Sequence, residues 1–384
     1  MDKLLRLPDN AICIIGFGDK AMNVISKENK TVVVGMSGGV DSSVCAYLLK
    51  EQGYNVVGAT MQIWQECDNH ENSSFTSVDD AKRVADMLGI PHYTMDFRKE
   101  FKEKVVNDFI QEYLAGRTPN PCIVCNRYVK WESLLKRSME IGADYIATGH
   151  YARIEKLDNG RYAIRNSITA TKDQTYALYK LTQEQLEHTL MPVGDYAKEE
   201  VRKIAKEIGL TVADKPDSMD ICFVTDNDYA GFIERNAGKK IETGNFVDIH
   251  GNVLGTHKGI TCYTVGQRKG LGLSLGHPVF VTEIRPETNE VVIGENEDIF
   301  VDTVIANKVN FMGEAAINED KTYIAKIRYN HKGSPCHARL VDDKLVVTFD
   351  APVRAVTPGQ ALVVYSNDYV AFGGTILKGA NFNV

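Results

Sequence analysis

The sequence predicts an α/β chain: a parallel sheet with crossover helices, followed by β-rich segments. Up to about residue 227, short β-branched runs alternate with segments of helical spacing, which is typical of a parallel sheet. From about Asp228, short strands and turns replace the helical spacing, which is typical of small barrels. We therefore expect an N-terminal extension (1–30), an α/β catalytic domain (31–227), a small β-rich central domain (228–300) and a C-terminal β-barrel (301–384).

Composition and charge bound the function classes. The 384 residues include 44 basic and 51 acidic side chains, a formal net charge of −7, which excludes a uniformly positive surface but not a local basic face. No apolar run approaches the ~18 residues of a membrane helix, and the first residues lack a secretory leader pattern. We expect a cytoplasmic protein with no membrane partner. The eight cysteines then indicate catalysis or metal binding rather than a disulfide framework.

A glycine loop between a strand and a helix is the first chemical motif. Thr31–Val34 is a β-branched buried strand, and a helix follows from Asp41 and Ser42 to near Gly53. Between them, Ser37-Gly-Gly brings free backbone N–H groups and the positive end of the helix dipole to one point, as an anion site requires. The loop lacks the lysine of a Walker A site and is not a dinucleotide G-x-G-x-x-G motif.

Three further strands define where a ligand would bind. Asn55–Met61, Pro91–Asp96 and Tyr145–Gly149 are predicted strands, and Asp79–Leu88 is a predicted helix. In a parallel sheet, ligands bind beyond the carboxyl ends of the strands. Met61 and Gly149 therefore suit an adenine, because one is soft and apolar and the other offers bare backbone.

A cysteine pair opens a second predicted helix. Pro121 suits a helix start, and Val124, Tyr128, Trp131 and Leu135 then follow at the spacing of one helical face. Cys122 and Cys125 would lie in the first turn. There the helix dipole and a local net charge of +4 over residues 116–137 favour the thiolate.

The remaining chain contains a hairpin, a helix and one further relevant cysteine. We predict a hairpin at 152–166 and a helix over Tyr196–Gly209. The run Ile221–Val224 reads as a short strand after a polar loop, and its Cys222 is by composition more typical of a buried core residue. Later strands are predicted at 245–249, 279–284, 291–294, 323–328, 344–349 and 361–365.

Together these motifs resemble the bacterial tRNA-specific 2-thiouridylases, the MnmA family of the ATP pyrophosphatase (PP-loop) superfamily. The resemblance covers nearly everything after residue 30. It is carried by Gly35-Met-Ser-Gly-Gly-Val-Asp-Ser42, Asn120-Pro-Cys-Ile-Val-Cys-Asn126, Ala147-Thr-Gly-His-Tyr151, Lys172-Asp-Gln174, Asp217-Ser-Met-Asp-Ile-Cys-Phe223 and Gly266-Gln-Arg-Lys-Gly-Leu-Gly272.

The resemblance implies a sulfurtransferase that adenylates the wobble uridine of tRNA with ATP and Mg²⁺. Cys222 would carry persulfide sulfur from a donor protein, a cysteine desulfurase or sulfur relay protein. Cys125 would be the second catalytic cysteine and close a transient disulfide with Cys222. The implied ATP-binding residues are Gly35, Met36, Ser37, Gly38, Gly39, Val40, Asp41, Ser42, Met61 and Gly149. The implied tRNA-binding residues are Asn120, Pro121, Cys122, His150, Lys172, Asp173, Gln174, Arg328, Tyr329 and Gln360.

Cys122 departs from the family pattern, because many members have an aspartate there that serves as a candidate acid or base. The resulting C-x-x-C pair, with Cys222, leaves three hypotheses open: ligands of a 4Fe–4S cluster, a zinc or dithiol site, and simple contact with the base. Two other functions also stay open. One is another adenylating enzyme of the superfamily, a tRNA cytidine thiolase or amide synthetase, and the other is a tRNA-binding protein without catalysis.

Overall fold

The computed structural model describes residues 30–64, 77–213, 215 and 221–381. Outside these residues lie residues 1–29 of the predicted N-terminal extension, which include Cys13. Two polar stretches also lie outside them: 65–76, which includes Cys67, and 214–220 apart from Lys215. Within the described part of the chain, no helix is long and apolar enough to cross a membrane.

A parallel sheet forms the centre of the N-terminal half. Its strands are β1 (Thr31–Gly35), β2 (Asn55–Gln62), β3 (His92–Asp96), β4 (Tyr145–Ala147) and β7 (Thr189–Leu190). Their order is β3-β2-β1-β4-β7, which confirms the predicted α/β class and adds β7, a two-residue strand not predicted from the sequence. Because β1 pairs with β2 on one side and β4 on the other, the sheet opens a crevice beyond the carboxyl ends of β1 and β4.

Helices cover this sheet and position the loops. They are α1 (Val40–Glu51), α2 (Ser77–Leu88), α3 (Arg98–Phe101), α4 (Asn107–Leu114), α5 (Pro121–Cys125), α6 (Leu135–Glu140), α7 (Gln183–Glu187), α8 (Lys198–Glu207) and α9 (Tyr229–Ala237). π-Helical segments, Lys102–Val106 and Asn126–Leu134, join α3 to α4 and α5 to α6. The predicted apolar face after Pro121 is confirmed, since Val124, Trp131 and Leu135 are buried.

The central region forms a separate four-stranded sheet. Its strands are β8 (Gly244–Asp248), β9 (Val253–His257), β10 (Phe280–Arg285) and β11 (Glu290–Gly294), in the order β10-β11-β8-β9. Phe246, Val281, Val291 and Ile293 form a small core of their own.

The C-terminal region is a closed barrel, as predicted. Its strands are β12 (Phe300–Phe311), β13 (Tyr323–Lys326), β14 (Ser334–Val341), β15 (Lys344–Arg354), β16 (Ala361–Ser366) and β17 (Tyr369–Ala380). The order β12-β15-β14-β13-β16-β17 closes because β12 also pairs with β17. The predicted hairpin, β5 (Ala152–Lys156) and β6 (Tyr162–Asn166), is confirmed and extends this sheet from β17.

The barrel and the α/β region share one apolar core. Tyr176 and Tyr179 are buried in the same cluster as Met312, Val363 and Tyr365 of the barrel. The Tyr176 hydroxyl donates to the Ala361 carbonyl at 2.8 Å, which pairs the buried phenol with the barrel backbone.

Candidate active site

The glycine loop after β1 has the geometry of an anion-binding turn. Ser37 N–H donates to the Ser42 hydroxyl oxygen at 3.2 Å, and the Ser43 hydroxyl donates to the Gly39 carbonyl at 2.8 Å. Gly38 has φ +68°, and a Cβ added there would lie 2.5 Å from the Ser77 carbonyl oxygen of α2. Glycine is therefore required at this position both for the backbone conformation and for the close approach of α2.

Three of the residues expected to bind ATP are held by the fold in positions that limit how they can act. Met36 and Val40 are buried in the core cluster that contains α1, so their side chains pack in the interior. Met61 lies near the carboxyl end of β2, partly buried against the larger core.

Asp41, in the first turn of α1, is bound by two side chains that the sequence analysis did not assign. Lys198 Nζ lies 2.8 and 2.9 Å from the two carboxylate oxygens, and the Tyr151 hydroxyl donates to Oδ1 at 2.8 Å. The Lys198 side chain is only 5% exposed, so this ion pair is largely shielded from solvent. One feature of the sequence points to this ion pair. Lys198 is the first residue of α8, where the helix dipole disfavours a cation without an anionic partner.

Gly149 lies after β4, directly against the start of α1. A Cβ at Gly149 would be 2.6 Å from both Asp41 C and Ser42 N, so the β4 loop reaches the glycine loop only because this residue lacks a side chain. The structure therefore brings the loops after β1 and β4 together at the crevice that the strand order predicts.

The cysteine helix starts as predicted, and its cap is supplied by Asn120. Asn120 Oδ1 accepts from Cys122 N–H at 3.1 Å and from Ile123 N–H at 3.4 Å, and Pro121 occupies the first helical position. Cys122 is exposed, whereas Cys125, one turn further, is 9% exposed.

Cys222 lies on a turn, so the predicted strand at 221–224 is wrong, and so is the buried environment that composition favoured for the thiol. The reason is the next residue. Phe223 inserts into an aromatic cluster, 5.6 Å from the Phe101 ring and 5.2 Å from the Phe109 ring, both edge-on. Phe223 anchors the turn and leaves Cys222 on the surface.

The three cysteines lie close enough together to influence one another electrostatically, and the pKa values of Cys125 and Cys222 are raised. Burial raises the pKa of Cys125 to about 12, while Lys130 acts in the opposite direction and the charges of Cys222 and Cys122 add to the rise. Cys222 is exposed, but neighbouring protein atoms partly desolvate its thiol and so raise its pKa, with Cys122 a further contributor and Lys130 again opposing. The prediction that the helix dipole and local charge favour a thiolate is therefore wrong for Cys125, because desolvation outweighs both.

The metal hypotheses find no support in the described side chains. Among residues 30–64, 77–213, 215 and 221–381, no group of three His, Cys, Asp or Glu side chains is arranged to hold a metal ion. All six cysteines in these ranges are free thiols.

His150 lies beside the π-helical segment that follows the cysteine helix. Its ring is 5.4 Å from the Trp131 ring, and Nδ1 is 2.8 Å from the Thr148 hydroxyl. Burial, with Lys130 as the second cause, holds the pKa of His150 well below its usual range. His150 is thus a neutral imidazole that can hydrogen-bond to a base but cannot supply a positive charge to phosphate.

The expected tRNA-contacting loop at 172–174 is fastened internally. Asp173 Oδ2 accepts from Ser167 N–H at 2.9 Å, and Gln174 Oε1 accepts from Tyr151 N–H at 2.9 Å. Tyr329, 43% exposed, donates its hydroxyl to the Asp173 carbonyl at 3.1 Å.

Two further candidates come from the barrel region. Arg328 Nη1 donates to the Arg354 carbonyl at 2.9 Å. Gln360 Nε2 donates to the carbonyl oxygens of Thr118 and Pro119, at 2.8 and 3.3 Å. Gln360 therefore contacts the segment that leads into the cysteine helix.

Comparison with known families gives the class first. A family model described as tRNA methyl transferase HUP domain matches residues 30–226. Models described as tRNA methyl transferase PRC-barrel domain and aminomethyltransferase beta-barrel domain match residues 230–295 and 301–376. The fold and these matches define a HUP-domain protein with two appended β domains.

Individual relatives narrow this class. The chain is 65% identical to the tRNA-specific 2-thiouridylase MnmA of Lachnoclostridium phytofermentans over 91% of this chain and 100% of that protein. It is 54% identical to the MnmA of Clostridioides difficile over 91% of this chain and 99% of that protein. The chain belongs to the tRNA-specific 2-thiouridylase MnmA family.

Among solved structures, a U34-tRNA thiolase NcsA from Methanococcus maripaludis with its 4Fe–4S cluster matches at 21% identity and TM-score 0.34. The match covers 56% of this chain and 69% of that chain.

Proposed function

We propose that this chain is an ATP-dependent tRNA 2-thiouridylase that replaces O2 of the wobble uridine with sulfur. The relatives that match nearly the whole chain are named for this activity. The observation that carries the proposal is the proximity of Cys122, Cys125 and Cys222, which are close enough to interact electrostatically. All three lie in the same α/β domain as the anion-binding loop. An amide synthetase or a tRNA-binding protein without catalysis would need no such group of thiols.

The first step activates a poor electrophile. The uridine O2 attacks the α-phosphorus of ATP, the bond to the β-phosphate oxygen breaks, and pyrophosphate leaves. Backbone N–H groups at Gly38 and Gly39, at the N-terminus of α1, would stabilise the charge of the departing pyrophosphate. The base is then bonded through O2 to AMP, a good leaving group.

Sulfur transfer follows in two bond exchanges. The terminal sulfur of a Cys222 persulfide attacks C2, and AMP leaves with the former O2. The Cys125 thiolate then attacks Cys222 Sγ, so the sulfur–sulfur bond breaks, the C2 sulfur stays with the base, and a Cys125–Cys222 disulfide forms. The cycle restarts when an external dithiol reduces this disulfide.

To attack Cys222, the Cys125 thiol must lose its proton, although it is shielded from solvent. In the free protein, burial holds the pKa of Cys125 at about 12, so the thiol is protonated and inert. Lys130 is the nearby cation that favours the thiolate, and a closer approach of Lys130 on tRNA binding would lower this pKa. The protonated thiol protects the free enzyme from premature oxidation.

The remaining partners follow from the same chemistry. The resemblance implies Mg²⁺, which would arrive with ATP and neutralise phosphate charge. The Ser37 hydroxyl is an oxygen donor of the kind it accepts, whereas both carboxylate oxygens of Asp41 already contact Lys198. The proposed steps need only the thiols, since the described residues contain no group of three His, Cys, Asp or Glu side chains arranged to hold a metal ion. A sulfur donor protein would have to reach Cys222, which is exposed as this requires, and a cytoplasmic location suits a tRNA substrate.

The test is mass spectrometry of tRNA nucleosides after incubation with ATP, Mg²⁺ and a persulfide donor. Wild type should form 2-thiouridine and release pyrophosphate only when tRNA is present. Cys222→Ser should bind ATP and tRNA but transfer no sulfur from the donor, whereas Cys262→Ser, a free thiol of the central domain, should retain full activity. Formation of 2-thiocytidine, of an amide, or of no product would overturn the proposal in favour of the other two functions.

A further inference from the structure

We propose that His92 is a positioning residue for the glycine loop, which it reaches through the Thr60 hydroxyl and the Met36 carbonyl. The inference rests on the proposed adenylation, in which this loop holds the phosphates of ATP. His92 belongs to none of the sets of residues that the family resemblance assigns to ATP, tRNA or catalysis.

The sheet brings the side chains of His92 and Thr60 to the same face. His92 begins β3 and lies opposite Gly58 of β2, and Thr60 follows two residues further along β2. Since side chains two residues apart on a strand point to the same face, the imidazole can reach the hydroxyl, and Nε2 lies 2.8 Å from Oγ1. Thr60 is 3% exposed, so this contact is shielded from solvent.

The close approach of His92 to the start of the loop depends on Gly58. A Cβ there would lie 3.1 Å from His92 Cδ2 and 2.7 Å from Met36 Sδ. Any larger residue would therefore push the imidazole or the Met36 side chain away. The lack of a side chain at this position leaves room for both.

The direction of each hydrogen bond follows from its partners. The Met36 carbonyl oxygen can only accept, so the Thr60 hydroxyl donates its single proton to it, at 3.0 Å. Thr60 Oγ1 must then accept from His92, which requires a proton on Nε2 of the ring. Burial lowers the pKa of His92, while Asp86 opposes this shift and Lys82 adds to it, so the ring is the neutral Nε2–H tautomer at neutral pH.

The Met36 carbonyl connects this pair to the loop. The peptide that joins Met36 to Ser37 is planar, so an oriented carbonyl also orients the Ser37 N–H. That N–H donates to the Ser42 hydroxyl oxygen at 3.2 Å, and the Ser42 hydroxyl donates in turn to the Gly39 carbonyl at 3.2 Å. A continuous set of hydrogen bonds thus joins His92, on the edge strand, to the loop and the first turn of α1.

This connection explains how a residue outside the crevice can affect the reaction. Stabilisation of the departing pyrophosphate needs donors that are oriented before the reaction starts. The Thr60 hydroxyl keeps the peptide between Met36 and Ser37 from turning. His92 in turn fixes the hydroxyl, because a hydroxyl without a second partner is free to rotate to another acceptor.

The experiment compares variants that break the connection with variants that keep it. His92→Leu removes the N–H donor and Thr60→Val removes the hydroxyl, whereas His92→Gln and Thr60→Ser keep an N–H and a hydroxyl at similar positions. The matched control is His188→Leu. His188 is also a partly buried histidine, next to the opposite edge strand β7, and its Nδ1 lies 3.0 Å from the Asp144 carbonyl oxygen.

Three quantities are measured with the full chain: kcat for tRNA-dependent pyrophosphate release, the Kd for ATP without tRNA, and the free energy of unfolding in urea. We expect His92→Leu and Thr60→Val to lower kcat about tenfold, since small displacements of reacting groups have effects of this size. Their Kd for ATP should rise about threefold, because the loop is only one part of the ATP site.

The conservative variants separate positioning from a merely structural role. His92→Gln and Thr60→Ser should stay within about threefold of the wild-type kcat, because each keeps the hydrogen bond. The control should keep the wild-type kcat and Kd even if its stability falls. His92→Asn, whose shorter amide cannot reach Thr60, takes the place of His92→Leu if the apolar variant does not fold.

The double variant His92→Leu/Thr60→Val tests the route. If His92 acts through Thr60, the second substitution should lower kcat by no more than about twofold beyond the first, because both break one connection. A loss equal to the product of the two single losses would overturn the inference, since His92 would then act by another route. A His92→Leu enzyme with the wild-type kcat would also overturn it.

The ATP affinities separate this inference from the proposed function. If wild type itself releases no pyrophosphate in the presence of tRNA, the proposed function fails. A Kd for ATP raised in both His92→Leu and Thr60→Val, with the control unchanged, would still support the role of His92 in the loop. An unchanged Kd in both variants would then overturn it.

Discussion

At the scale of single residues, the Asp41 carboxylate shows how the anion loop is prepared for its ligand. A carboxylate beside a phosphate site is repulsive unless a cation neutralises it, and Lys198 does so from the first position of α8. The two residues are 157 positions apart, so neither local sequence nor periodicity indicates the pair. Sequence analysis could place Asp41 at the helix start, but the fold alone supplies its partner.

Replacement of Lys198 by methionine keeps most of the stem and removes the charge. We expect the free energy of unfolding to fall by about 1–3 kcal/mol, because a partly buried carboxylate loses its cation. The rate of tRNA-dependent pyrophosphate release should fall about tenfold or more as the loop loses its fixed geometry. Urea denaturation and a pyrophosphate assay measure the two effects.

Lys203→Met is the matched control, since Lys203 lies on the same helix with its side chain 75% exposed. It should change stability by less than about 0.5 kcal/mol. A Lys198→Met protein that releases pyrophosphate at the wild-type rate would show that Asp41 needs no cation for adenylation.

The Cys125 thiol gives a pH prediction with a definite sign. Thiolate is the species that reacts with iodoacetamide, and a pKa of about 12 lies above that of an ordinary thiol, so burial lowers the thiolate fraction at every pH below it. Alkylation of Cys125 in the free protein should therefore rise about tenfold per pH unit up to about pH 10, without a plateau. Peptide mass spectrometry follows the site, and a short unfolded peptide containing Cys125 should level off near pH 9. A plateau near pH 7 in the folded protein would mean that the thiol is activated before tRNA binds.

At the scale of elements, sequence periodicity predicted the strands correctly but not the features that depend on tertiary packing. The strands β1 to β3 begin and end within one residue of their predicted bounds, because buried β-branched runs are legible in the sequence. The prediction of a strand at Cys222 was wrong, because the turn is held by an aromatic cluster around Phe223. The other rings of this cluster come from α3, α4 and α9, which are distant in sequence, so no local pattern indicates it. The C-x-x-C helix was predicted, but not the depth at which its second thiol lies.

The difference in depth between the two thiols of the C-x-x-C pair motivates a test of the hypotheses for Cys122. Cys122 is exposed and Cys125 is buried, so the pair does not present two thiols on one surface. We expect Cys122→Ala to keep at least half of wild-type thiolation with a persulfide donor, and anaerobically purified wild type to be active without iron. Iron quantification beside the thiolation assay measures both. Loss of iron, colour and activity together in Cys122→Ala would establish a cluster instead, and Cys125→Ala should be inactive in either case.

At the scale of the whole molecule, the sequence suggests three modules in series, whereas the structure shows two of them sharing a core. Tyr176 and Tyr179 are buried against Val363 and Tyr365 of the barrel, and Arg161 donates to the Met312 carbonyl at 2.7 Å. The central sheet keeps its own cluster. A change in composition along the chain reveals where β-rich segments start, but not which apolar faces they cover.

This sharing predicts how the protein responds to truncation. A chain ending at residue 300 would expose Tyr176, Tyr179 and neighbouring buried side chains, and the loss from each large aromatic is about 3–5 kcal/mol. Since whole-domain stability is only about 5–15 kcal/mol, the α/β domain of the truncated chain should not fold natively and should lose ATP binding. Circular dichroism and nucleotide-binding assays measure both effects. The control is a chain beginning at Asn29, which removes the shorter terminal piece 1–28, and since that piece precedes every motif the control should stay folded and active. A truncated chain with the wild-type midpoint and ATP affinity would mean that the shared cluster contributes little, and that the barrel serves only to hold tRNA.

The shared core also predicts how the full chain unfolds. Calorimetry should show the α/β domain and the barrel unfolding in one transition, because neither has a complete core without the other.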